Sequence, residues 1–324
     1  MTGRRSQREI TEAVELCHDG ALNPDAVGWS RRPLHSTHLP WNGRSKKWEY
    51  WGIMAGDYVI GLTIADLDYA HVDQIYIARL SDGREWTEDG LGAFSIKPPL
   101  SAAPPPFSVA SGRLAMTYEP DGRALLSLDA RHVQGEFVVE PGGEALGVVI
   151  AWSSKKFQYT LKDVARRVSG HLLLEGERIE LDGWAVLDRG RGIWPYRKRW
   201  NWGAGSGDVN GTRLGLQVGG KWTAGTGYTE NALFVDGRLH YIGEELTWTY
   251  RVDAPRGVWR VNGERIDATL TPQHQRIASV NVGVVAFKTY QLFGTWSGWA
   301  IDDDGQRHSL DGLVGWAEEA TNRW

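Results

Sequence analysis

Apolar and polar residues alternate along most of this chain, in short runs cut by turn signals. WEYWGIMA, YVIGLTIADLDY, QIYIARL, LAMTYEP, ALLSLDA, EFVVE and LGVVIAW follow one another in the first half, punctuated by DG, PDG and PGG. The second half continues with LGLQVGG, ALFVDGRLHYI, LTWTYRVD, VWRVNGERIDATL, VNVGVVAFKTYQLFGTWSGWAID and LVGWAEEA. A two-residue period bounded by Gly-rich turns is the pattern of half-buried antiparallel strands, and many such strands at regular spacing predict barrels or sandwiches. Helical patterning is confined to Gln7–Leu16, expected as one short helix, and to LKDVARRVSG, where a strand and a helix of about three turns fit equally well. The expected fold is all-β: two antiparallel barrels or sandwiches packed together, with few short helices.

The most proline-rich stretch, KPPLSAAPPPFSV from Lys97 to Val109, resembles a linker. The strands after it keep the first-half pattern, so it is expected to cross over the end of a barrel. Strand density breaks instead around the Gly- and Trp-rich run near Pro195, which places the domain division between residues 1–194 and 195–324.

Composition changes this picture in two places. The 324 residues include 40 Gly and 17 Trp, which suits a many-turned β protein whose core or pocket is built from indoles. Hydrophobic residues at 41% and charged residues at 23% are ordinary for a globular chain. A net charge of −4 offers no electrostatic footprint for nucleic acid. Cys17 is the lone cysteine, which excludes an intrachain disulfide framework and Cys-based metal clusters and points to the cytoplasm. No signal-peptide-like apolar run and no stretch of transmembrane length is present. The one basic cluster, Arg189, Arg191 and Arg197-Lys198-Arg199, reads equally as an anion site or as a solvated strand edge.

The strongest constellation is LDRGRGIWPYRKRWNWGAGSG, followed about one hairpin later by GGKWTAGTGYTENALFVDG. On a strand, Trp200 and Trp202 share one face and Asn201 takes the other. The same alternation would put Tyr228 and Glu230 together, opposite Thr229 and Asn231. The result is an aromatic pocket holding one carboxyl, whose ionised form burial disfavours, so that Glu230 serves as a general acid. Tyr228 would orient it, and Trp200 and Trp202 would wall a cation. The competing reading packs these rings in a core and pairs Glu230 with Arg197 or Arg199. Asp188 is either a general base or, preferably, a residue satisfying the bend of Arg-Gly-Arg-Gly. Asn201, Trp194, Tyr196, Trp222, Asn231, Trp51 and Asp68 complete the expected substrate-binding set. In the first half, Asp66 and Asp68 should face the same way, countered by Lys47 or Arg44, with a salt-bridged edge as the plainer reading.

Nine His residues are scattered without HxH or HExxH spacing, so no metal site is expected. GxSxG, GxGxxG at a helix start and the Walker A sequence are absent, so no serine nucleophile and no nucleotide or other cofactor is expected.

LNPDAVGWSRRPLH, KKWEYWG, ADLDY, WPYRKRWNWGAGSG and GTGYTENALFVDGRLH resemble the bacterial family named domain of unknown function 2804, in blocks spread over nearly the whole chain. That family is distantly similar to the double-barrel lipocalin-like superfamily of carotenoid hydratases (hydroxyneurosporene synthases), AttH-like proteins and cyclases. The resemblance implies two lipocalin-like barrels and cofactor-free work on polyenes or other apolar molecules. In the carotenoid hydratase pattern, His-x-Trp precedes Tyr-x-Asp by about one hairpin. Trp202, Tyr228 and Glu230 match it in kind, and Trp200 stands where the histidine would. That departure removes a proton carrier and puts hydration in question, while acid-initiated alkene or alcohol chemistry stays open.

Three functions follow: a lyase, hydratase, isomerase or cyclase acting on an apolar, isoprenoid-like small molecule; a glycoside hydrolase using Asp188 and Glu230 with Trp platforms; and a carrier without catalysis. Two carboxylates in an open polar groove would favour sugar, and a carboxyl in a closed apolar setting would favour the isoprenoid-like ligand.

Overall fold

The computed structural model describes residues 7–96, 100–254, 256–282 and 285–323. Among them the protein is all-β, with a single three-residue 3₁₀ turn at Pro24–Ala26, and no helix is long and apolar enough to cross a membrane. Two large antiparallel sheets curl into half-barrels, as expected of two lipocalin-like barrels.

The first sheet runs, in hydrogen-bonded order, Phe107–Ser111, Leu114–Tyr118, Ala124–Asp129, Val133–Val139, Lys156–Leu174, Glu177–Ile193, Ser45–Ala55, Tyr58–Asp66, Ala70–Arg79 and Glu85–Ala93. Leu146–Ser153 pairs with the first half of Lys156–Leu174, and Trp29–Ser30 pairs with Leu146–Ser153. The second sheet runs Arg238–Tyr241, Ala232–Val235, Thr212–Gly220, Arg197–Val209, Leu313–Arg323, Val285–Ile301, Ile266–Val282, Trp259–Asn262 and Thr247–Thr249. The chain passes from one sheet to the other between Ile193 and Arg197.

The helix expected at Gln7–Leu16 is not formed, and the open choice at LKDVARRVSG falls to strand. Gln7–Leu16 is extended: Glu9 bridges Trp29, and Val14–Glu15 lies parallel to His35–Ser36. Its backbone groups are taken by neighbouring chain, for which a helix would have to forgo those bonds. LKDVARRVSG lies inside the strand Lys156–Leu174, with a bulge between Asp163 and Arg166 that shifts the register against Glu177–Ile193. That bulge breaks the two-residue period and produces the helix-like spacing. Of the proline-rich stretch, residues 97–99 lie outside the described residues, and the first-sheet strand Phe107–Ser111 begins at its end.

Alternation divides the apolar residues into three cores. Trp51, Ile53, Ile60, Leu62, Phe157, Tyr159, Leu161 and Leu187 line the interior of the first barrel. Leu216, Val218, Trp259, Leu292 and Trp296 fill the second. Between them a third core joins Met54, Tyr76, Val148, Val164 and Val186 of the first sheet to Trp202, Phe234, Phe293 and Trp316 of the second.

This middle layer is packed closely enough to need glycine. A Cβ on Gly52 would overlap the Trp316 ring and sit 3.0 Å from the Tyr50 hydroxyl. Trp316 is fully buried among Tyr50, Trp202 and Phe293, so the ring cannot yield. Gly52→Ala should therefore lower stability by about 1–3 kcal/mol, the usual cost of overpacking. Urea unfolding followed by tryptophan fluorescence measures this, and an unchanged midpoint would contradict the packing described.

Candidate functional site

Strand alternation sets the polar residues of the seam. On Lys156–Leu174, Phe157, Tyr159 and Leu161 turn into the first barrel, so Gln158, Thr160 and Lys162 turn towards the second. On Glu177–Ile193 the same rule turns Leu187, Arg189 and Arg191 inward and Trp184, Val186 and Asp188 outward. Lys162 and Asp188 are cross-strand neighbours and form an ion pair at 2.9 Å. The ammonium also lies over the Trp202 ring, 4.1 Å from its centroid.

The second barrel brings two more carboxyls to this pair. Glu230 comes from the loop before Ala232–Val235, and Glu318 from Leu313–Arg323. Glu230 is 2% exposed, Lys162 3%, Glu318 7% and Asp188 8%. Each glutamate accepts an indole N–H: Trp222 Nε1 donates to Glu230 Oε2 at 3.1 Å, and Trp200 Nε1 to Glu318 Oε1 at 3.0 Å. Gln217 fixes the Glu230 backbone, donating to its carbonyl at 3.1 Å while accepting from Trp202 Nε1 at 2.9 Å. Among the described residues, Glu230 Oε1 and Asp188 Oδ1 have no partner within hydrogen-bond geometry, although the Thr160 hydroxyl lies close enough to the Glu230 carboxyl to favour its ionised form.

Burial pushes the Glu230 carboxyl up to about 7; Lys162 pulls it down, Asp188 pushes it up, and the Thr160 hydroxyl and the Trp222 bond again lower it. Burial likewise raises Glu318 to about 7, against the Trp200 bond and Lys162. Two carboxyls that titrate near neutrality thus flank one buried ion pair.

Four indoles pack together beside them. Trp194 meets Trp200 at 5.6 Å, Trp222 at 5.3 Å and Trp152 at 6.2 Å between ring centroids. Trp200 and Trp222, whose N–H groups hold the two glutamates, are 6.2 Å apart. Trp194 also donates to Gln158, and Trp152 donates to the Trp222 carbonyl at 2.8 Å.

Against the sequence expectations, Trp200, Trp202, Trp194, Trp222, Glu230 and Asp188 converge at the seam. Trp200 and Trp202 share a face of Arg197–Val209, and Asn201 points away to Tyr250 and the Glu318 carbonyl. Several details differ. Residues 221–231 form a loop rather than a strand, so Tyr228 does not follow Glu230 by alternation. The Tyr228 hydroxyl accepts from the Arg8 backbone N–H at 3.4 Å. Asn231 caps backbone, accepting from Gly219 N–H and donating to the Glu244 carbonyl. Trp202 is enclosed by Tyr50, Trp316 and Lys162, which leaves its face to the lysine. Asp188 is in mid-strand rather than at a bend. Tyr196 is 43% exposed, just before the strand Arg197–Val209.

Trp51 and Asp68 lie elsewhere. Trp51 points into the first barrel and donates to the Tyr118 hydroxyl at 3.1 Å. Asp68 accepts backbone N–H groups of Asn42, Arg44 and Ser45 and pairs with Lys47 at 3.3 Å. Lys47 also lies 4.0 Å from Asp66, so the lysine counters both aspartates, which are buried rather than on a solvated edge. Arg189 and Arg191 are likewise buried, and Arg199 pairs with Glu319, not Glu230.

Sequence reasoning missed Lys162, Glu318, Trp152 and Gln217. The signal for Glu318 was present: two glutamates side by side in GWAEEA must face opposite ways on a strand, so one of them enters an apolar layer. Lys162 was hidden by the bulge that made its segment ambiguous.

No curated protein matches the chain in sequence. Among solved structures, it is similar to an AttH-like protein from Nitrosomonas europaea, with TM-score 0.58 and 15% identity over 89% of this chain and 97% of that one. It is also similar to kievitone hydratase from Nectria haematococca, with TM-score 0.52 and 12% identity over 89% and 91% of the two chains. At such identities the likeness is one of fold. The model of the family described as domain of unknown function (DUF2804) matches residues 7–324, nearly the whole sequence. The chain therefore belongs to the DUF2804 family.

Proposed function

We propose that this protein is a cofactor-free acid-base enzyme, with residues 1–194 and 195–324 as its two barrel units and the catalytic site at their seam. Its substrate is an apolar small molecule bearing a hydroxyl on a carbon able to support positive charge, and Glu230 is the general acid. The observation that carries the reading is Glu230 itself: a carboxyl enclosed between two barrels, fixed through one oxygen by Trp222, with the other oxygen making no hydrogen bond among the described residues. Protonated, that second oxygen can donate to a substrate hydroxyl oxygen, and Asp188 Oδ1 can accept from a hydroxyl.

In the dehydration direction, Glu230 gives its proton to the hydroxyl oxygen, the C–O bond breaks, and water leaves behind a carbocation. The indole faces of the Trp194, Trp200 and Trp222 cluster stabilise that charge through their quadrupoles. Loss of a proton from the neighbouring carbon to ionised Glu318 or Asp188 completes an alkene. The reverse sequence hydrates one, and capture of the cation by a second double bond would give a ring. Glu318, bound to the Trp200 indole, supplies the proton carrier that Trp200 cannot. The closed aromatic setting supports this reading over glycoside hydrolysis, which needs a groove for a hydrated sugar chain. The shared fold with kievitone hydratase supports it only at the level of architecture.

Conversion of tertiary allylic terpene alcohols such as linalool, followed by mass spectrometry for loss of water, tests the proposal. Glu230→Gln should reduce turnover by about 10²–10⁴-fold, the usual worth of a general acid, while leaving binding nearly unchanged. Undiminished turnover in that variant would refute the role of Glu230.

Burial of this acid also makes stability depend on pH. An unfolded glutamate ionises near its ordinary value, about 4.3, whereas folded Glu230 holds its proton up to about 7. Its stabilising contribution is complete below the unfolded value and is lost as pH rises through the folded one. Glu230→Gln cannot ionise, so the fall in unfolding free energy between pH 5 and pH 8 should shrink by roughly 2–4 kcal/mol. Equal pH dependence in the two proteins, measured by urea unfolding, would show that Glu230 ionises normally.

A further inference from the structure

The interior of the first barrel holds a separate polar cluster that the chemistry at the seam does not use. Glu49 and Arg189 are cross-strand neighbours, as are Tyr159 and Arg191, and all four side chains turn inward. All are buried, none more than 4% exposed.

Glu49 is fully engaged. It accepts from Arg189 Nε at 3.0 Å, from Arg191 Nη2 and from the Tyr118 hydroxyl at 2.7 Å. Arg191 donates further to the carbonyls of Trp48, Gly190 and Ser101. The Arg189 guanidinium lies against the rings of Phe107 and Tyr118, at 4.5 Å and 5.1 Å from their centroids. Among the described residues, three buried donors then have no acceptor: Arg189 Nη2, Arg191 Nε and the Tyr159 hydroxyl. Each such group is destabilising when left unmatched, because burial strips its water without replacing the bond. Two guanidinium groups also face a single carboxylate.

The other charged groups at this end of the barrel do not supply the missing acceptor. Lys47, Asp66 and Asp68 form their own cluster, with Asp68 held by three backbone N–H groups and Lys47. A guanidinium braced by two aromatic faces, with a phenol donor on a neighbouring strand, matches a planar anion with two acceptor oxygens. The surrounding core is apolar.

We infer that the first barrel is a binding site for a small organic monocarboxylate, whose oxygens accept from Arg189 and Tyr159. This site is independent of the acid-base chemistry at the seam. The carboxylate can be a free headgroup or can carry an alkyl chain into the apolar core, and two probes separate these sources.

Thermal unfolding of the full chain, followed by tryptophan fluorescence, is measured with sodium acetate and with sodium octanoate, at ionic strength held constant with chloride. A carboxylate bound to the native state raises the midpoint in a saturable way. Equal affinities for the two probes indicate headgroup binding, and tighter binding of octanoate places the chain in the barrel. Tyr159→Phe removes only a hydroxyl that makes no hydrogen bond among the described residues, so the variant should fold as the parent does. It should bind the carboxylate about tenfold more weakly, as expected for the loss of one charge-assisted hydrogen bond. Glu230→Gln should retain the parent's response, which distinguishes this site from the seam. The inference is overturned if neither probe shifts the midpoint beyond chloride alone, or if Tyr159→Phe responds like the parent.

Discussion

The ion pair between Lys162 and Asp188 is the constraint around which the middle of this protein is organised. Both residues come from the first barrel and both face the second. A buried lysine is tolerated only with a counter-charge and good packing, and here the counter-charge is Asp188 and the packing is the Trp202 face. Removing either partner would leave an uncompensated charge in an apolar layer, typically at a cost of 3–5 kcal/mol. The pair is therefore covered by the second barrel, whose Trp202 ring packs on the ammonium. It also sets the field felt by the two glutamates: Lys162 opposes the effect of burial at both, and Asp188 adds to it.

Neither barrel holds the seam cluster alone. The first supplies the ion pair, Gln158, Trp152 and Trp194; the second supplies Glu230, Glu318, Trp200 and Trp222. The indoles serve two physical purposes at once, since their rings exclude water while their N–H groups hold the carboxyls. An aliphatic wall would achieve the first and leave both acids without those donors. Gln217 extends this support, because it ties the Glu230 backbone to Trp202, the ring on which Lys162 rests.

The hairpin formed by Lys156–Leu174 and Glu177–Ile193 builds two polar environments on opposite faces. Lys162 and Asp188 look outward to the seam, while Tyr159, Arg189 and Arg191 look inward. A slip of one residue would exchange the two sets and bury each against the wrong partners. The bulge between Asp163 and Arg166 confines the register shift to the far side of this cluster.

The period of two residues and its Gly-rich turns determined the all-β class, because that pattern reports which backbone can bury one face and solvate the other. It also determined that Trp200 and Trp202 share a face and that Asn201 does not, since alternation within a strand is a local property. Where local pattern was interrupted, as at the bulge near Asp163 and in the loop holding Tyr228 and Glu230, sequence spacing no longer specified direction. Gln7–Leu16 shows the same limit, for its extended form depends on pairing with Trp29 and with His35–Ser36. Only the tertiary structure brought Lys162, Asp188, Glu230 and Glu318 together, from three strands and a loop across two sheets. Burial and electrostatic coupling depend on distances through space, and no spacing along a single chain contains them.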